Sequence, residues 1–143
     1  MQFDTDQYPD YVPLTDYNTY DFRKRQPDVV FIHNPYDDCN FTTSIHPFFY
    51  SRNLKQYTDL LIYIPCFKLD EFDPEDSKAY YNMRYYVSVP GLAHADKILI
   101  PSERMRQTYI NYLTEFAGED TRTVWTEKIR LSPFQQSGAP QQS

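Results

Sequence analysis

An α/β domain, Rossmann-like and three-layered around a small parallel sheet, is the fold that this sequence predicts, and three observations carry it. Short apolar runs recur near residues 29–32, 60–64 and 97–100. Each is followed by a stretch suited to helix, so strand and helix alternate, the pattern of a parallel sheet. The first run, Val29–Ile32, has no polar interruption, as expected of a strand buried on both faces.

That run belongs to Asp28-Val-Val-Phe-Ile-His-Asn-Pro-Tyr-Asp37, which organises the rest of the chain. Pro27 stops a preceding helix from continuing into it. It ends in His33, Asn34, Tyr36 and Asp37, four hydrogen-bonding side chains around the turn residue Pro35. In open α/β sheets ligands bind just beyond the carboxyl ends of strands, so this polar cluster is the first candidate site.

Before it, residues 1–26 form an acidic, tyrosine-rich arm. Tyr11–Leu14 is expected as a short edge strand, because Pro13 cannot donate to a central ladder. Thr15 or Asp16 caps a brief helix reaching about Arg25, whose basic residues sit at its negative end. After the His33–Asp37 turn comes a polar loop containing Asn40, then His46. Pro47 opens a helix carrying Phe48, Phe49, Tyr50 and Leu54. Leu60–Ile64 is the second strand, ended by Pro65-Cys66-Phe67. The acidic run Asp70–Asp76 reads as a solvated loop and helix cap, with Asp73 capping a helix from about Pro74 to Tyr86. Val87–Gly91 breaks that helix. The third strand lies within Ala95–Pro101, and Ser102 caps a helix whose Met105, Tyr109, Ile110, Leu113 and Phe116 share one face. Gly118 ends it, and a last helix spans Thr121–Ile129. The α/β domain is thus expected over 27–130, and 131–143 is a tail whose residues Ser132–Ser143 are expected to be disordered.

Composition narrows the function. The 143 residues carry a net charge of −6, with pI near 4.9 and mean hydropathy −0.70, which argues against nucleic acid as partner. No apolar run is long enough to span a bilayer, and the first residues lack signal-peptide character. A cytoplasmic protein, with at most peripheral membrane contact, is expected. Its two cysteines, Cys39 and Cys66, are too few for a disulfide framework, and Cys66 reads as a buried thiol. Three glycines leave no Gly-rich phosphate loop.

Each candidate residue has a functional and a structural reading. Imidazole is the side chain best suited to take a proton near neutral pH, so His33 is the candidate general base; otherwise it bonds a neighbouring loop and helps hold Asp37. His46, beside Pro47, reads more readily as a cap, and His94 as a surface residue. Tyr36 and Asn40 are suited to stack on or bond a polyol or sugar. Ser102 and Glu103 open a helix after a strand, where N–H groups attract anions, although a plain cap explains Ser102 as well. His33, Asp37, Asp38 and His46 lack the spacing of a metal site, so none is assigned.

Three stretches, Asp28–Asp37, Ile45–Pro65 and Ala95–Ile110, together with Tyr112–Ile129, resemble bacterial proteins related to CDP-glycerol glycerophosphotransferases, the builders of teichoic-acid-type polymers. The resemblance covers roughly residues 5–130. It implies the N-terminal, acceptor-side half of a two-domain GT-B glycosyltransferase-like fold, expected to be inactive alone. By that resemblance the acceptor is a polyol or sugar polymer; by their own chemistry and position, Asn34, Tyr36, Asp37, Asn40, His46, Ser102 and Glu103 are the residues expected to meet it, with His33 as base. The nucleotide-activated donor, CDP-glycerol or similar, would bind a C-terminal domain that has no counterpart here, so no cofactor is expected in this segment. Pro65-Cys66-Phe67 stands where the family carries a Trp-His-Gly turn, so the family's own base does not transfer. The competing expectations are a non-catalytic carbohydrate- or protein-binding module and, last, a small hydrolase or metal enzyme, disfavoured by the lack of a Gly-x-Ser-x-Gly elbow.

Overall fold

Pro27 and Asp28 release the chain from its first helix into a strand, and the parallel sheet grows from there. The structure is a computed structural model and describes residues 9–39, 45–65, 73 and 75–133. Strands β1 (Val29–Ile32), β2 (Leu60–Tyr63), β3 (Lys97–Ile100) and β4 (Ile129–Leu131) lie in that spatial order. Every neighbouring pair is parallel, with Val29 opposite Leu60, Ile62 opposite Lys97 and Ile98 opposite Ile129. The α/β class with a small parallel sheet is therefore present.

Helix α1 (Phe22–Arg25) precedes β1, and the connections carry α2 (Ser51–Leu54), α3 (Ser77–Asn82), α4 (Arg84–Val87), α5 (Pro90–His94), α6 (Glu103–Ala117) and α7 (Arg122–Lys128). Right-handed crossovers between strands taken consecutively in one direction put successive connections on the same side. The core lies there. Ile32, Leu61, Tyr63, Ile98, Ile100 and Ile129 point from the sheet into one apolar cluster with Leu54, Met83, Val87, Leu92, Met105, Tyr109, Ile110 and Leu113. The alternate positions are more open: Val29 and Phe31 are 42% and 51% exposed, and Leu60, Ile62 and Leu99 are half-buried. Val29–Ile32 is thus not buried on both faces. It is an edge strand, and its unbroken apolar run has one face inward.

Several boundaries differ from expectation for local reasons. Tyr11–Leu14 forms no strand. The single helix expected up to Arg25 is two pieces, because two aspartates each supply a cap. Asp16 accepts the Asn18 N–H before a 3₁₀ turn at Tyr17–Thr19, and Asp21 accepts the Arg23 N–H before α1. Likewise Pro47–Phe49 is a 3₁₀ turn, and α2 follows it separately. Asp76, not Asp73, caps α3 through the N–H groups of Lys78 and Ala79; Asp73 accepts the Glu75 N–H in a tight turn instead. Pro90 starts a helix of five residues where only a break was expected. Ser102 and Gly118 bound α6 as expected, but Phe116 is 70% exposed because the last turn runs beyond the core. The final helix stops at Lys128, since Ile129–Leu131 is captured as the fourth strand, with Ile129 fully buried. Ser132, expected to be disordered, donates its N–H to the Ile100 carbonyl at 2.8 Å. Cys66, Phe67, Asp70 and Pro74 lie outside the described residues, as does the tail beyond Pro133. Among the described residues, no helix is long and apolar enough to cross a membrane.

Two contacts tie the layers together. Gly91 donates its N–H to the Pro35 carbonyl at 2.7 Å, and a Cβ on Gly91 would lie 2.6 Å from the Pro35 Cα. Backbone meets backbone there, so no flexible side chain relieves the clash. Gly91→Ala is expected to cost about 2–3 kcal/mol, read as a lower urea midpoint with an unchanged m-value.

At the opposite end of the strands, Asp96 accepts the Leu61 N–H at 2.8 Å and the Lys55 ammonium. Burial pushes its carboxyl up, but the Leu61 N–H and Lys55 outweigh burial and hold it below the ordinary value of 3.8. A carboxyl depressed in the folded state adds stability that is complete above its unfolded value and is lost as pH falls through the folded one. Wild type is therefore expected to lose stability more steeply than Asp96→Asn as pH drops below about 4. Urea titrations at stepped pH measure the difference.

Candidate functional site

His33 is the first residue past β1, and its place at the sheet's carboxyl edge follows from the strand ending at Ile32. Its Nδ1 lies 2.8 Å from the carbonyl of Ile64, just past β2. A carbonyl only accepts, so Nδ1 carries the proton and the neutral ring keeps its lone pair on Nε2. The residue is exposed. The ring is thus oriented by backbone, with its basic nitrogen open to a ligand.

The next four residues form a tight, mostly inward loop. Asn34 Oδ1 accepts the Tyr36 N–H at 3.0 Å, and Pro35 packs on Gly91. Tyr36 is half-buried. Burial, with the Tyr36 phenol nearby, pushes the Tyr109 hydroxyl well above the ordinary tyrosine value. Asp37 has φ of +49°, a conformation that aspartate tolerates better than most residues. It is fully buried, and its carboxylate accepts the Ser51 N–H at 2.8 Å and the Ser51 hydroxyl at 2.9 Å. Asp37 therefore caps the first turn of α2 from 14 residues upstream, where no local pattern reveals it.

The Ser51 hydroxyl also lies 3.0 Å from His94 Nδ1. Its one proton goes to Asp37, so His94 Nδ1 is the donor to Ser51 Oγ. That polarity is the reverse of a nucleophilic Ser–His pair, in which the ring takes the hydroxyl proton. Asp37, Ser51 and His94 form a positioning chain, and Ser51 is not an activated nucleophile. Ser51 and the His94 pairing escape sequence reading, because the contact spans 43 residues.

Other candidates have local tasks. The exposed Asp38 pairs with Arg52 at 3.2 Å, and that hydrogen bond holds its carboxyl below the usual range. His46 Nδ1 accepts the Phe48 N–H at 3.2 Å, the capping role expected of it. Ser102 Oγ accepts the Met105 N–H. Glu103 is held below its ordinary value by the Gln107 amide first and then by Arg106. Ser102 and Glu103 follow β3, two strand spacings from β1, so they share the His33 edge about 10 Å away. Asn40 lies outside the described residues. Among the described residues, no group of three or more His, Cys, Asp or Glu side chains is placed to hold a metal ion.

The structure thus brings His33, Asn34, Tyr36 and Asp37 together with Ser51, Gly91 and His94, and leaves His46 in a separate aromatic cluster. No family model, curated protein or solved structure matches this chain. Asp37→Asn keeps size and backbone tolerance but withdraws one acceptor from Ser51. It is expected to cost about 2 kcal/mol in urea unfolding and to alter the His94 ring resonances while sparing those of His33.

Proposed function

We propose that this chain is the acceptor-side domain of a glycerophosphotransferase- or glycosyltransferase-like enzyme of cell-surface polymer synthesis. One observation supports it above the others: His33 at the carboxyl edge of a parallel sheet, its Nδ1 bound to the Ile64 carbonyl and its Nε2 lone pair open. A base so held suits removal of a proton from an acceptor hydroxyl. In glycerophosphate transfer the hydroxyl oxygen forms a bond to the donor phosphorus. The bond from phosphorus to the leaving nucleotide breaks, and the hydroxyl proton passes to Nε2. Stabilisation of the leaving phosphate would come from a donor-binding domain; among the described residues, Arg106 and Arg52 near this edge are already engaged. Arg106 bonds Glu103 and the carbonyls of Ile129 and Thr126, and Arg52 bonds Asp38. The resemblance of Asp28–Asp37, Ile45–Pro65 and Ala95–Ile110 to CDP-glycerol glycerophosphotransferases motivates the same reading.

A non-catalytic binding module is the second reading, favoured by the half-open apolar sheet face at Val29 and Phe31. Titrating the chain, followed by NMR, separates the two. The transferase reading expects a glycerol phosphate oligomer or a disaccharide to shift the His33 ring resonances, CDP-glycerol to leave them unmoved, and no polymer to grow. Acceptors that leave His33 untouched, or a chain that extends polymer unaided, would overturn it.

A further inference from the structure

Away from the strand tips, the arm before β1 and the turn before α2 enclose a second site. Tyr17, Tyr20, Arg23, His46, Phe48 and Phe49 line an open cleft of about 320 Å³. Its walls meet at steep angles. Tyr17 stands at 78° to Phe49, and Phe48 at 87° to Phe49, with ring centroids 5.8 and 5.7 Å apart. His46 packs edge-on to Phe49 at 71°. Tyr17, Tyr20, Phe48 and Phe49 remain half-buried, although these same rings would be the natural material of a closed cluster.

We infer that this cleft binds an uncharged sugar ring. Four features select that ligand. First, Tyr17 and Phe48 each meet Phe49 at a steep angle, so the aromatic wall is cornered and not one flat platform. A puckered ring, with C–H bonds on its faces and hydroxyls around its rim, suits a corner of aromatic faces, whose negative quadrupole attracts the slightly positive C–H groups. Second, the cation in the lining is paired: Arg23 with Asp21 at 3.3 Å. Burial pushes the Asp21 carboxyl up, but the Arg23 N–H and guanidinium outweigh it and hold it below the ordinary value. Third, the polar groups at the wall suit hydroxyls. Because His46 Nδ1 accepts the Phe48 N–H, the neutral ring carries its proton on Nε2 and donates from it, alongside the Tyr17 and Tyr20 phenols. Asn18 Nδ2 and the Thr19 hydroxyl are turned back onto Asp16. Fourth, the volume sits at the low end of ligand sites, roughly 300–1,000 Å³, which limits the occupant to a small ring.

This site does not depend on the transferase reading, and the test keeps the two apart. The chain is titrated with uncharged disaccharides of glucose, N-acetylglucosamine and mannose, and with a glycerol phosphate oligomer as the charged comparator. At least one disaccharide is expected to bind, to shift the resonances of Tyr17, His46 and Phe49, and to outcompete the charged oligomer at this cleft. Tyr17→Ala is expected to weaken that binding about tenfold, the loss of one aromatic contact. Tyr17→Phe keeps the ring and is expected to stay within about threefold. Disaccharide binding that disappears with His33→Ala and survives Tyr17→Ala would move the sugar to the strand tips, overturning the cleft and sparing the transferase reading. No shift at Tyr17, His46 or Phe49 in the wild-type chain with any of the sugars overturns the inference, whatever the variants do.

Discussion

Everything in this molecule follows from a sheet whose strands are added one after another in the same direction. Parallel strands in consecutive order, joined by right-handed crossovers, throw their connections onto one side. The inward positions Leu61, Tyr63, Ile98 and Ile100 are therefore sealed beneath α2 to α6, while Val29 and Phe31 on the other side stay half-open. The same constraint gathers all strand tips at one edge. His33 finds the Ile64 carbonyl only because β1 and β2 are adjacent, parallel and paired from Val29 to Ile32 with Leu60 to Tyr63.

Short elements make that sheet dependent on side chains that reach far along the chain. Apart from α6, the helices have four to seven residues, too short to be stable by themselves. Carboxylates hold many of them in place. Asp16, Asp21 and Asp76 cap locally. Asp37 caps α2 across 14 residues, and Asp96 joins the start of β3 to β2 through Leu61 and Lys55. An acidic chain thus spends much of its negative charge on backbone N–H groups and on ion pairs, where charge-assisted hydrogen bonds are strong.

The polar cluster at the strand tip divides in the same way. Read as a sequence, His33, Asn34, Tyr36 and Asp37 look like one set of ligands. In the fold His33 is exposed and held through Nδ1 by the Ile64 carbonyl, whereas Asn34 and Asp37 shape the loop and anchor it. The loop is anchored where Pro35 lies against Gly91 and where Asp37 is fully buried. Such anchoring is what a positioned base requires, since orientation held by packing precedes chemistry. The aromatic cleft has a different origin. Tyr17, Phe48 and Phe49 pack on one another outside the main core and leave a concave face open.

The sequence by itself determined the class of fold, the first three strands, the α6 helix with its Ser102 and Gly118 boundaries, and the candidate His33. Those signals are local: apolar runs of strand length, helical spacing, a cap and a terminator. It did not determine β4, because Ile129–Leu131 is too short to declare a strand until Ile98 and Ile100 lie beside it. Nor did it determine the Asp37–Ser51–His94 chain, the Gly91–Pro35 approach or the corner of Tyr17 and Phe49. Each joins residues at least 14 positions apart, and Gly91 and Pro35 are 56 apart. Contacts of that kind leave no periodicity to read; only tertiary packing decides which side chain meets which backbone.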